Sequence, residues 1–271
     1  KKAFEEHPEI EAVIISTPSA LHIEPAMFFA KHKINIFVEK PLSDNLKGVD
    51  ELIRIVQKNK VVAMMGQSYR FHEGFLRLKE LLSKIGKLYH VNYFGGQYLP
   101  DWHPERDYRN EYASQKRLGG GVLLTSMSHS FDTVQWLFGD ITNITGWKTK
   151  LSNLEIDVED CVFCLIKTQK NIIIQSESDF LQRKNRHQMI VIGEKGHIEA
   201  DFIKHKINVW TIDSPVTETI DYDFDSNKRY IEELKHFVAL IEEKKTEHDL
   251  DLSVGKKVLE LIKNSNIISI T

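Results

Sequence analysis

The chain has little cysteine: two residues in 271, Cys161 and Cys164. They form a lone C-x-x-C inside an apolar run with no second pair, so a metal ribbon or a disulfide framework is excluded. On a strand, residues three apart point to opposite faces, and the expected role of both thiols is core packing in a reducing cytoplasm. No metal site is expected. A long hydrophobic run is also missing; nothing approaches the roughly 18 apolar residues that span a bilayer, so no membrane partner is expected. The formal net charge is −3, with 36 Lys and Arg against 39 Asp and Glu. That balance gives no basic footprint for nucleic acid. A Gly-x-Gly-x-x-Gly turn occurs nowhere in residues 1–271. That absence bears on every functional expectation below.

What is present begins with short apolar runs. Ala12–Ser16, Ile34–Val38 and Val61–Met65 read as strands covered on both faces. The stretches between them, Ala20–Lys31 and Leu46–Lys58, are helical in pattern. Strand, helix, strand, helix, strand is the rhythm of a doubly wound parallel sheet. Residues 1–67 are therefore assigned to the back half of a dinucleotide-binding domain. Residues 68–271 change character. Phe71–Ser83 reads as an amphipathic helix, Lys87–Gly95 as a strand, Gln97–Arg117 as a polar aromatic loop, and 121–138 as one helix. Strand-like runs then recur at 141–150, 160–167, 172–179, 188–193, 197–201 and 207–212, a spacing that predicts a mostly antiparallel sheet. Asp225-Ser226-Asn227 starts an amphipathic helix to about Glu243, and a last helix runs from about Ser253 to Asn264. The fold class expected is α/β, a partial Rossmann domain followed by an α+β domain with a large open sheet. The last helix is expected to pack back on the first domain.

Two motifs carry the chemistry. Glu39-Lys40-Pro41 closes the second strand, and ligands in open α/β sheets bind at the carboxyl ends of strands. Gly119-Gly120-Gly121 opens a helix that holds His129 two turns in. Together with Ser16-Thr17-Pro18-Ser19-Ala20-Leu21-His22, these segments resemble the glucose–fructose oxidoreductase / inositol dehydrogenase / rhizopine-catabolism family over essentially the whole length. The long loop is similar, more weakly, to that of members associated with nonulosonic-acid and surface-polysaccharide sugars.

The resemblance implies an oxidoreductase using NAD or NADP on a sugar or nucleotide-sugar alcohol. It places Lys40 beside the nicotinamide and the substrate hydroxyl, where a cation stabilises a developing alkoxide. His129 becomes the general base, a task suited to imidazole. Glu39 either pairs with Lys40 or holds cofactor ribose. Whether the Lys40–Pro41 bond is cis is left open. Ser16, Thr17, Pro18, Pro41 and Gln67 are expected on the cofactor side. His22 either caps its helix or touches ribose, and Arg70 is expected to form an interdomain ion pair. Many members carry an acid four residues before the His; this chain has Thr125 there, which can bond a sugar hydroxyl but relays no proton. In the loop, Trp102, Arg109 and Tyr112 are the expected substrate contacts, unless the loop packs on a partner subunit. A homodimer or homotetramer through the sheet face is implied.

Two alternatives remain at this point. One is a non-catalytic sugar- or dinucleotide-sensing protein; the other is a redox-neutral enzyme that oxidises its sugar transiently. Without the glycine turn, the pyrophosphate lacks its helix N-terminus, so the front half of the first domain is expected to lie outside these residues and 1–271 alone to bind a dinucleotide poorly.

Overall fold

The computed structural model describes residues 2–223 and 225–270. After a short helix α1 (Lys2–Glu6), strands β1 (Ala12–Ile15), β2 (Asn35–Glu39) and β3 (Ala63–Gly66) form a parallel three-stranded sheet in the order β1-β2-β3. Helices α2 (Ile23–Lys31) and α3 (Val49–Asn59) make the crossovers. Strand β2 has the run Ile36-Phe37-Val38, no residue of which is more than 1% exposed. Successive side chains point to opposite faces, so both faces need a cover. Ile36 and Val38 pack with Ala26, Leu52, Leu252 and Leu259; Phe37 packs with Met64, Phe237 and Leu240.

Those partners come from far along the chain. Helices α4 (Glu73–Leu81), α5 (Val122–Thr125) and α6 (Met127–Phe138) belong to the second unit. Helices α7 (Lys228–Glu242) and α8 (Leu252–Asn264) return to sandwich the small sheet. The last helix thus lies against the first sheet: a methyl group on Gly255 would sit 2.8 Å from both Leu42 and Met65.

The second sheet has nine strands: β4 (Leu88–Gly96), β5 (Ile141–Thr149), β6 (Cys161–Thr168), β7 (Ile173–Asp179), β8 (Arg186–Gly193), β9 (Gly196–Asp201), β10 (Lys206–Thr211), β11 (Ser214–Asp221) and β12 (Asn266–Ser269). Their order is β11-β10-β9-β8-β4-β7-β6-β5-β12. It is mostly antiparallel, with parallel pairing at β4–β7 and β5–β12. Strands β11 and β12 escaped the sequence pattern. The first is polar and exposed along an edge; the second has four residues directly after a helix. Alternation on β6 buries Val162, Cys164 and Ile166 against α6 and exposes Phe163 and Leu165. Cys161 is buried too, at the strand's start. Burial pushes both thiols up to about 12, so they remain uncharged packing groups.

Arg70 follows β3 and reaches Asp132 on α6 through two bonds, Nη2–Oδ1 2.6 Å and Nε–Oδ2 3.1 Å, while Nη1 donates to the Asp249 carbonyl. One guanidinium therefore ties the small sheet, the α6 helix and the approach to α8. Asp132 is buried, so removing its partner strands a charge. Arg70→Ala is expected to cost about 3–5 kcal/mol, read from the urea midpoint; a loss below about 1 kcal/mol, as for a surface pair, would contradict this.

Candidate active site

The cleft lies between the carboxyl ends of the small sheet and one end of the large one. It has a volume of about 730 Å³, with Lys40, Tyr69, Trp102, His129, His187 and Arg229 among its lining residues. Lys40 stands there because β2 ends one residue earlier. The Lys40–Pro41 peptide is cis, and Leu42 is fully buried.

Lys40 Nζ donates to the Thr125 carbonyl oxygen at 2.7 Å. That oxygen is available because the helix expected over 121–138 is broken at Ser126. In an unbroken helix it would accept from the His129 N–H, four residues on. Instead the His129 N–H bonds to the Ser126 carbonyl at 3.1 Å. Thr125 is thus not one regular turn before His129 as the spacing suggested. Its hydroxyl donates to the Gly121 carbonyl at 2.8 Å, and its main contribution is backbone.

Burial pulls the Lys40 pKa down to about 8; the Glu39 carboxylate opposes this and the Arg229 cation adds to it. His129 lies well below its ordinary value, through burial and then the charges of Lys40 and Arg229, so its imidazole is neutral at pH 7. Its ring stacks on Tyr69 with centroids 4.3 Å apart. Its Nδ1 is buried with no hydrogen-bond partner among the described residues. A neutral base beside a charged acid is what proton abstraction from an alcohol requires. Tyr93 Oη lies 3.1 Å from His187 Nε2 at the back of the cleft.

Gly119, Gly120 and Gly121 have a packing role. They do not line the cleft; they press against protein. A methyl group on Gly120 would lie 2.5 Å from the carbonyl oxygens of Tyr112 and Ala113, and Gly121 has φ +97° with the Glu159 carboxylate against it. The run fixes the loop behind α5 rather than admitting substrate.

The cofactor-side residues divide. Ser16 and Thr17 are exposed at the end of β1, and Pro18 is half-buried. Glu39 and Pro41 flank Lys40, and Glu39 Oε2 accepts the Lys40 backbone N–H at 3.3 Å. Gln67 is buried after β3. His22 occupies the N-cap position of α2, but its side chain makes no cap bond. Its ring lies under the loops, Nδ1 2.9 Å from the Pro41 carbonyl and Nε2 2.6 Å from that of Thr17, joining the two strand ends.

Of the three loop contacts, Trp102 lines the cleft, edge-on to Phe180, with its Nε1 unpartnered among the described residues. Tyr112 is half-buried outside that lining; its phenol is raised by burial and by the Glu39 carboxylate. Arg109 is not at the cleft. Asp107 chelates it at 2.8 Å and Glu155 takes Nη1 at 2.7 Å, so two nearer carboxylates occupy its donors on the exposed side of the loop.

Residues missed from sequence include Tyr69, Tyr93, His187, Arg229 and Glu233. Arg229 lies just beyond the helix-start cluster Asp225-Ser226-Asn227, the one signal that pointed there. Glu233, one turn further on, is 1% exposed, with Oε1 unpartnered. Burial and the Glu39 charge push it up to about 8, opposed by the Gln67 backbone N–H. Among the described residues no group of three His, Cys, Asp or Glu is placed to hold a metal, and no helix is long and apolar enough to cross a membrane.

Two family models match the chain. Residues 2–67 match the oxidoreductase family with an NAD-binding Rossmann fold, and residues 75–199 match the GFO/IDH/MocA C-terminal domain. The chain belongs to the Gfo/Idh/MocA oxidoreductase family. It is 28% identical to the 2,7-anhydro-N-acetylneuraminate hydratase of Mediterraneibacter gnavus, over 71% of this chain and 52% of that protein. It is 29% identical to the myo-inositol 2-dehydrogenase of Thermotoga maritima, over 86% of this chain and 70% of that protein. The chain thus spans about half the length of the first relative. Among solved structures it resembles levoglucosan dehydrogenase in complex with NADH and levoglucosan, with TM-score 0.84 at 19% identity, over 97% of this chain and 78% of that one. That likeness establishes the fold.

The depressed Lys40 pKa is directly measurable. In ¹⁵N-lysine NMR titrations one ammonium is expected to lose its proton near pH 8, and Lys40→Met to delete that signal. Titration of every lysine near its ordinary value of about 10.4 would contradict the burial.

Proposed function

We propose that the chain is the catalytic portion of an NAD(P)-dependent oxidoreductase that transfers hydride to or from a hydroxyl-bearing carbon of a sugar. One observation carries the reading: a cationic Lys40 and a neutral His129 share one cleft at the carboxyl ends of the small sheet. Ser16, Thr17 and Glu39, at those same strand ends, fit the nicotinamide half of a dinucleotide. A bound nicotinamide would supply or accept the hydride. In the oxidation direction, His129 takes the substrate hydroxyl proton while Lys40 donates a hydrogen bond to the oxygen as its charge grows. The Thr125 carbonyl holds the ammonium in place throughout. Trp102 supplies a face for the sugar ring.

A redox-neutral variant of this chemistry is a second reading, supported by the 28% identity to a 2,7-anhydro-N-acetylneuraminate hydratase. It would oxidise the sugar, eliminate or add water, and reduce it again. Uptake of solvent deuterium at a substrate carbon without net NADH would identify it.

A second copy of the chain is the proposed partner, over the outer face of the large sheet. That face exposes Trp147, Phe163, Leu165, Ile173 and Trp210, an apolar patch of the kind that pairs. A cytoplasmic location is proposed from the low cysteine usage, two residues in 271. Light scattering is expected to give a dimer or tetramer that Phe163→Lys with Leu165→Lys reduces to monomer; an unchanged mass would overturn this interface.

For the full-length protein, Lys40→Met and His129→Asn are each expected to lower kcat by about 10²–10³-fold while NADH still binds. Because the Lys40 pKa is depressed to about 8, its ammonium is present below that pH and lost above it. kcat/KM for oxidation should therefore be level through neutral pH and fall above about 8. Lys40→Arg should abolish that fall, since guanidinium stays charged. Full activity in Lys40→Met would overturn the reading.

A further inference from the structure

We infer that the substrate of this cleft is a sugar bearing an anionic substituent, and that Arg229 is the residue that binds it. The inference rests on the oxidoreductase reading for its site. The charge balance of the cleft motivates it. Lys40, Arg186 and Arg229 all line it, with imidazoles from His129 and His187. The acid that lines it, Asp179, is already engaged: Oδ1 accepts the backbone N–H groups of Leu181 and Gln182, and Oδ2 the Gln182 side-chain amide. Lys40 is bonded to a neutral carbonyl. Arg186 lies over the Phe94 ring, and its bond goes to the Gln188 amide oxygen.

Arg229 is the least satisfied of these cations. It lies in the first turn of α7 and is half-buried. Its Nη2 donates to Tyr230 Oη at 2.8 Å, and its plane lies 4.6 Å from the Tyr230 ring centroid and 5.6 Å from that of Tyr69. Nε is buried with no hydrogen-bond partner, and no carboxylate pairs with Arg229 among the described residues. The Glu39 and Glu233 carboxyl groups feel its charge but neither forms an ion pair with it, so the buried Nε lacks a bonded counter-ion, which is costly. Its Nε–Nη2 edge, bonded only to the Tyr230 hydroxyl, matches the two oxygens of a carboxylate or of a phosphoryl group. A neutral hydroxyl could accept from Nε but would leave the charge unbalanced. The Tyr69 ring beside Arg229 also stacks on His129, so an anion held there belongs to the molecule whose hydroxyl meets the base.

The test is calorimetric titration of glucuronate, glucose 6-phosphate and glucose into the full-length protein, with and without NADH. An anionic sugar is expected to bind at least about tenfold more tightly than glucose. Arg229→Met should bring that ratio close to one with NADH affinity unchanged, and Arg229→Lys, which keeps the charge but not the fork, should retain part of it. Preference for glucuronate identifies a carboxylate, and preference for glucose 6-phosphate a phosphoryl group. Equal affinity for glucose, no binding of either anionic sugar, or a preference that survives Arg229→Met would overturn the inference. Should Arg229→Met not fold, an undiminished preference in Arg229→Lys would overturn it equally. Failure to bind NADH would instead remove the oxidoreductase reading, because the titrations without cofactor still report on Arg229.

Discussion

One hydrogen bond, from Lys40 Nζ to the Thr125 carbonyl, couples the two halves of this molecule at the point where chemistry is proposed. It joins residues 85 positions apart, and each end depends on its own unit. Lys40 is held by a strand whose apolar core is covered on both faces; Thr125 offers its oxygen because a helix breaks one residue later. The break is in turn braced by glycines packed against the loop backbone, where a Cβ would collide. The ammonium therefore cannot withdraw into solvent as a surface lysine would, and burial brings its pKa down towards neutrality.

Burial then arranges the remaining titratable groups. The same desolvation that lowers Lys40 lowers His129 further, since two cations lie near it, and raises Glu233, which lies near Glu39. At neutral pH the cleft holds a charged lysine and a neutral imidazole, while Glu233, outside its lining, is a protonated acid. Environment thus sets the charge state of each group. Among the cleft's lining residues, Lys40, Arg186 and Arg229 face one acid, Asp179, and that imbalance underlies the proposed anion site.

Much of this was legible in the sequence, for physical reasons. Continuous apolar runs marked strands covered on both sides, and a lysine at the end of one was conspicuous for its position. The small sheet, the long helices and most strands of the large sheet followed from periodicity. Polar edge strand β11 and four-residue β12 did not, because neither buries a stripe. The site was legible where a residue adjoins a regular element, as Lys40 and His129 do. Arg109 looked like a ligand because its type suits anions, but sequence is silent on Asp107 and Glu155 closing around it. Arg229 and Glu233 looked like ordinary members of an amphipathic helix. Only the return of α7 over the small sheet brings Arg229 to the cleft and buries Glu233 near Glu39, and no local pattern encodes that return.

The central claim is geometric, and a crystal structure of the full-length protein with NADH and a bound sugar tests it most directly. The sugar carbon is expected within about 3–3.5 Å of the nicotinamide C4. Its hydroxyl should lie within about 2.6–3.2 Å of both Lys40 Nζ and a ring nitrogen of His129. A nicotinamide bound away from the end of β2, or a sugar whose hydroxyls meet neither side chain, would contradict it.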